Sequence, residues 1–378
     1  MDLLRIVPMM GVVIVHVLIF SAPPDDKVAN GLIFFFHINR ELFFFITAFV
    51  LFYSTGAWEH GVPVLKMWRR RYPLIVLPYL VWTLIYWPLS EGIPPSPAGL
   101  GINLVTGWFH LYFLLVTMQF YLFFPLLAWA LRRTRRWHWL LLLGSTALQV
   151  LWTAYMQYGY WDIPSWLHPL TDNAQVFCIS YQFYFVAGGL AATYLDQIVA
   201  WTREHRGLVW LGVAAGFAVS MAWYGLNLLF EAPHNASGVF QPAVILLLAV
   251  VVSGLWMIAD HWLATHPVDG RLWRLIHSSA EASFGIYLSH MVFLLALTQP
   301  PILDWFHTDE LPWGLSFIVR FLIVVAGALT TVAICRRTPL SKALTGRPRI
   351  PFRSGPLAPA HEGAAWSPPA GHLRGSDR

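Results

Sequence analysis

Runs of about twenty apolar residues, separated by short polar stretches, recur along the chain. That length fits a helix crossing a hydrocarbon core about 30 Å thick, and the alternating ten-residue pattern of barrel strands is missing. The runs predict about ten membrane spans: 3–21, 39–58, 72–89, 108–131, 139–155, 176–195, 208–229, 240–259, 283–298 and 313–335. The fifth ends in a polar stretch and the ninth is short. Loops 88–107 and 157–175 are the longest links and are rich in Pro, Gly and Trp. From Leu344 onward Pro, Gly, Ala, Ser and Arg dominate. This predicts one membrane domain over 1–343 and a disordered cytoplasmic tail over 344–378.

Composition agrees with the periodicity. Of 378 residues 57% are hydrophobic and 11% charged, against about a quarter charged in a soluble domain. The expected fold is therefore an all-α, polytopic integral membrane bundle in the cell membrane, in contact with lipid. The two cysteines, Cys178 and Cys335, fall in helices whose relevant ends face opposite sides, so they read as packing residues rather than a disulfide.

Charge then orients the bundle. Arg5, Lys66, Arg69, Arg70, Arg71, Arg132, Arg133, Arg135, Arg136, Arg203, Arg206, Arg271, Arg274 and the residues from Arg336 all fall on one side. The opposite loops carry Asp25, Asp26, Glu91, Asp162, Asp172, Glu231, Asp304, Asp309 and Glu310, with only Lys27 and Arg40 as basic residues. This is a positive-inside pattern with both termini cytoplasmic. The net charge of +5 thus reports topology; no basic-aromatic module for nucleic acid appears. Arg320, inside the tenth span, belongs to neither side.

Four groups of polar residues stand out against this background. Arg5 and His16 share the first span and, at about 100° per residue, one helix face. His16 lies about 16 Å deeper, near mid-membrane, where an ionisable group reads as functional by default. Arg69, Arg70 and Arg71 precede the third span and suit either a polyanion or anionic lipid. Gln119 lies near mid-depth in the fourth span, as interhelical glue or a ligand contact, while His110 sits near the outer boundary. Ser283, Tyr287 and His290 form a stripe in the ninth span, with His290 at about the depth of His16. No histidine pairing or Cys/His cluster of a metal site is present.

Together these segments resemble the acyltransferase 3 family. Asp2-Leu3-Leu4-Arg5 with His16 is similar to its first-helix signature. The stretch Leu42-Phe43-Phe44-Phe45-Ile46-Thr47-Ala48-Phe49 is similar to its FFFxSGF segment, with Thr47-Ala48 in place of Ser-Gly. Arg70-Arg71-Tyr72 and Leu77-Pro78-Tyr79 look like its basic approach to helix three, although Leu74 stands where a second arginine is frequent. His110-Leu111-Tyr112-Phe113-Leu114, Gln119-Phe120-Tyr121 and the SxxIYLxH-like segment ending in His290 complete the resemblance, which covers about 2–340.

The resemblance implies O-acyl transfer, usually of acetyl from acetyl-CoA or another acyl-CoA, to a hydroxyl of a carbohydrate or glycosylated acceptor, without a metal. It implies His16 as general base or acyl carrier and Arg5 as the residue that holds the donor or polarises its carbonyl. Arg69, Arg70 and Arg71 would meet the CoA phosphates, with Gln119, Tyr287, His290 and Asp2 around the substrate cavity. The competing class is a proton-coupled transporter or exporter, which intramembrane His and Arg would also suit; the absence of a visible internal repeat weighs against it.

Overall fold

The computed structural model describes residues 2–56, 63–91, 96–159, 162–265, 270–299, 302 and 312–351, and every regular element among them is helical. The elements are α1 (Asp2–Ser21), α2 (Lys27–Phe36), α3 (Ile38–Thr55), α4 (Val64–Arg71), α5 (Pro73–Glu91), α6 (Pro97–Thr106), α7 (Tyr112–Arg133), α8 (His138–Tyr158), α9 (His168–Asp172), α10 (Gln182–Thr193), α11 (Leu195–Glu204), α12 (Arg206–Asn227), α13 (Pro233–Ala236), α14 (Val244–Thr265), α15 (Arg271–Ala296), α16 (Trp313–Cys335) and α17 (Ser341–Thr345). Eight stretches are long and apolar enough to cross a membrane, and a ninth follows if the bent pair Cys178–Thr193 and Leu195–Glu204 is one span. Within α1, Arg5–Ser21 adds a shorter apolar helix. Each of the ten expected spans therefore has its helix.

Three spans depart from the pattern read off the chain. The second is preceded by α2, so that 27–55 is one apolar stretch broken at His37. The sixth turns by 80° between α10 and α11, and α11 carries Asp196 and Arg203. The ninth begins at Arg271, because its basic first turns are helical as well. Part of the expected tail is also packed. The Trp82 indole donates to the Leu344 carbonyl at 3.0 Å, the Ile350 amide to the Arg336 carbonyl at 2.7 Å, and Arg347 meets Glu281 at 3.0 Å. Residues 352–378 lie outside the described residues, as do Asp304, Asp309 and Glu310.

Helices in lipid associate through close packing and interhelical polar contacts rather than hydrophobic burial. The α3–α10 seam illustrates this. Gly188 faces the Phe45 carbonyl and the Ala48 methyl so closely that a Cβ would strike both. Ala48 stands where the related motif has glycine, and Gly188 supplies the missing room from the opposite helix. Gly188→Ala is expected to destabilise the protein by about 1–3 kcal/mol, because a backbone carbonyl cannot move aside as a side chain can; a lower thermal unfolding midpoint in detergent checks it.

Charges inside the bundle have named partners. Arg40 pairs with Glu41, and its guanidinium lies 4.8 Å from the Tyr181 ring centre and 5.0 Å from that of Phe240. Buried Arg320 donates to the Phe20 carbonyl at 2.5 Å, near the end of α1. Helix C-termini leave carbonyls unpaired and carry partial negative charge, so a cation is well placed there. At the other end of the bundle, Asp260 bridges Arg203 and Arg206.

Candidate active site

α1 and α3 pack where Gly11 admits the Asn39 side chain; a Cβ at Gly11 would overlap it. Five residues beyond Gly11, His16 meets His290 of α15. Their rings are nearly coplanar, 4° apart, with His16 Nδ1 2.8 Å from His290 Nε2. His290 is fully buried, and its Nδ1 lies 2.7 Å from the Tyr287 carbonyl oxygen. A carbonyl only accepts, so His290 Nδ1 carries a hydrogen and donates it there. His290 Nε2 is then an acceptor, and His16 Nδ1 donates to it. In neutral His16 the Nε2 atom consequently holds an unshared pair. The bundle thus fixes which nitrogen of His16 keeps a free pair.

A third imidazole completes the cluster. His110, 3% exposed, has its ring centre 5.0 Å from that of His290 and 6.3 Å from that of His16. The edges of Tyr86 and Tyr287 pack against it, both at 5.2 Å. Its position depends on a tight turn ahead of α7. Gly107 has φ +66°, where an added Cβ would strike the backbone of Tyr112. Phe109, with φ +50°, is the one non-glycine residue at positive φ among the described residues. Strain of this kind persists only where surroundings hold it. The Phe109 ring is 5.3 Å from His16 and 6.2 Å from Phe20, and the Tyr287 hydroxyl donates to the His110 carbonyl at 2.5 Å. Its spacing places His110 only near the outer boundary, and its motif is the one sequence signal for this position.

The cluster lies nearer one end of the bundle than the middle. His16 is five residues before the end of α1 and His290 six before the end of α15, about 7 and 9 Å at about 1.5 Å per residue. Arg5 is exposed near the opposite end of α1, about 16 Å away along the helix. The two share a helix about three turns apart. Arg69 and Arg70 are exposed at the end of α4, at that same end of the bundle. Arg71 donates to the Ser54 hydroxyl at 3.0 Å and lies 5.9 Å from the Tyr121 ring centre. The Asp2 side chain lies outside the described residues.

Gln119 makes contacts of the interhelical kind that its position allows. Its amide nitrogen donates to the Val176 carbonyl at 2.7 Å, and its oxygen accepts the Cys178 amide at 3.0 Å. It thereby satisfies backbone left open at the irregular start of the sixth span. Ser283 donates to the Ala280 carbonyl on its own helix. Among the described residues, no group of three or more His, Cys, Asp or Glu could hold a metal ion.

Fold and site together define a polytopic membrane protein with a titratable cluster at one end and a basic face at the other. The family model described as an acyltransferase domain matches residues 1–337, and the chain belongs to the acyltransferase 3 family. It is a membrane-embedded acyltransferase. No curated protein and no solved structure matches the chain.

Proposed function

We infer that the protein moves an acyl group, acetyl in the simplest case, from acyl-CoA to a hydroxyl of a sugar-containing acceptor, with His16 Nε2 as the reacting nitrogen. The observation that carries this is the hydrogen-bonded series from the Tyr287 carbonyl through His290 to His16. It holds one imidazole in a single tautomer with its free nitrogen available. Positive charge arising on His16 strengthens its bond to His290, much as an oriented partner stabilises a catalytic imidazolium. Transfer requires the hydroxyl to lose a proton and the carbon–sulfur bond to break, with the CoA sulfur ending as a thiol. An imidazole, which can both accept and return a proton through its ring nitrogens, is suited to that exchange.

Coenzyme A carries several phosphate charges, and the basic end of the bundle supplies Arg69, Arg70 and Arg71 for them. By the positive-inside rule that end is cytoplasmic. Arg5 belongs with the donor too, since a residue about 16 Å along α1 from His16 cannot polarise a carbonyl there. Asp2, nearly one turn before Arg5, is assigned to orient it. Pantetheine, the long arm of coenzyme A, is what would carry the thioester from this basic end towards the imidazoles. Family membership supports acyl transfer over the transport alternative.

Purified protein in nanodiscs, given radiolabelled acetyl-CoA and a hydroxyl acceptor, should release CoA and yield acylated acceptor; movement of an unmodified substrate without acylation would sink this function. In the same assay, replacing Arg70 and Arg71 together by Ala should raise the KM for acetyl-CoA by about tenfold, more so with added salt. An unchanged KM would leave these arginines as determinants of topology alone.

A further inference from the structure

His110 has no task in the account so far. Among the described residues neither of its ring nitrogens has a hydrogen-bond partner of normal geometry, although the residue is almost wholly buried and the Tyr287 and Leu288 carbonyls lie beside it. The carbonyls beside it, of Tyr287 and Leu288, already accept from His290 and from the Tyr86 hydroxyl, at 2.7 Å in both cases. Leaving a buried polar group unpaired is destabilising, so such a group in a native site needs a reason. A strained turn, a tyrosine clamp on its carbonyl and two tyrosine edges keep it there nonetheless.

A division of labour between two imidazoles supplies the reason. With pantetheine bringing the thioester to His16 from the basic end, an acceptor arriving from the opposite end would take the acyl group from the imidazole rather than from CoA. Once acylated on Nε2, His16 has no free nitrogen pair there and cannot deprotonate the acceptor. A second base is then needed beside it, and His110 lies 6.3 Å away, centre to centre, with its rings edge-on. At that separation a single hydroxyl group could bridge the two residues.

We propose that His110 is the general base that activates the acceptor hydroxyl against an acyl group carried on His16. This rests on acyl-CoA being the donor, as inferred above. In the first step His16 Nε2 bonds to the acyl carbon, the carbon–sulfur bond breaks and CoA leaves as thiolate. The acylated imidazole keeps its Nδ1–H on His290. In the second step the hydroxyl oxygen bonds to the acyl carbon while its proton passes to His110. The carbon–nitrogen bond breaks and its electron pair returns to His16 Nε2. His110 then releases its proton to solvent, which offsets the thiolate, so the net products are ester and CoA thiol.

The two half-reactions can be read separately on the full chain in nanodiscs, with acetyl-CoA as donor and methyl β-D-glucopyranoside as hydroxyl probe. Wild type should release one equivalent of CoA per enzyme in a burst and show an acetyl adduct on His16 after rapid quenching. His110→Gln should keep the burst within about twofold, accumulate the adduct and turn over about 10²- to 10⁴-fold more slowly. Hydroxylamine, which reacts without a base, should discharge the adduct equally from both proteins. Steady turnover within about threefold of wild type, or loss of the burst together with turnover, overturns the proposal. A wild type that turns over without burst or adduct makes His16 a simple base and overturns it too, yet leaves acyl transfer standing. No consumption of acetyl-CoA by wild type would instead remove the donor assignment beneath it. Should His110→Gln not yield monodisperse protein, His110→Asn repeats the test; failure of both would assign His110 to the fold and overturn the proposal.

Discussion

His16→Ala should lower CoA-dependent acyl transfer by at least about 10²- to 10⁴-fold, the range for loss of a general base. A carrier is lost more completely, since no bond to the acyl group can form, and residual activity should then fall to the solvent background. The protein should still assemble. His16 is only half-buried, and its removal leaves a single acceptor, His290 Nε2, without its donor. That omission costs about 1–3 kcal/mol, an appreciable part of a stability of about 5–15 kcal/mol but not all of it. Size-exclusion profiles and thermal midpoints measured beside the transfer rate separate the two effects. Near-normal turnover in folded His16→Ala protein would remove the central residue of the proposed function and reopen transport as an alternative.

How far the chain could be read without its structure differs from residue to residue, and the reason is geometric. Helical periodicity converts spacing into position, so His16 and His290 could be assigned one depth although 274 positions separate them. The same arithmetic separates Arg5 from His16 by about three turns, so a shared face alone does not bring the two into contact. His110 defeats this reasoning, because it precedes α7 on a turn whose course is set by Gly107 and Phe109 rather than by a period. Gln119 was ambiguous for another reason. A mid-span amide looks the same in sequence whether it meets a ligand or the backbone, and the backbone that claims it becomes irregular only at Val176–Cys178. The ten spans were legible because length and hydropathy are local properties. The break at His37 and the 80° bend after Thr193 were not, since neither place carries a proline or glycine to mark it.

His290 is a positioning residue in this scheme, and its replacement has a signature of its own. His290→Ala deletes the acceptor that holds His16 Nδ1–H, so the His16 hydrogen is free to sit on either nitrogen. Only one of those tautomers leaves Nε2 reactive, and an unanchored ring also samples unproductive rotamers. Orienting partners of catalytic imidazoles can matter by several orders of magnitude when their loss yields the wrong tautomer. Here both tautomers remain accessible, so a fall in kcat of about 10- to 100-fold is expected. The KM for acyl-CoA should stay within about twofold, because the donor contacts lie at the basic end of the bundle. A merely structural role would lower the yield of folded protein or disturb both constants together. His290→Gln makes the distinction sharper. Its side-chain carbonyl can accept from His16 Nδ1, and it fills more of the space that Ala would leave empty in a fully buried position. Gln should therefore recover much of the lost kcat, whereas equal losses in the Ala and Gln variants would show that the bond to His16 does not orient the reactive nitrogen.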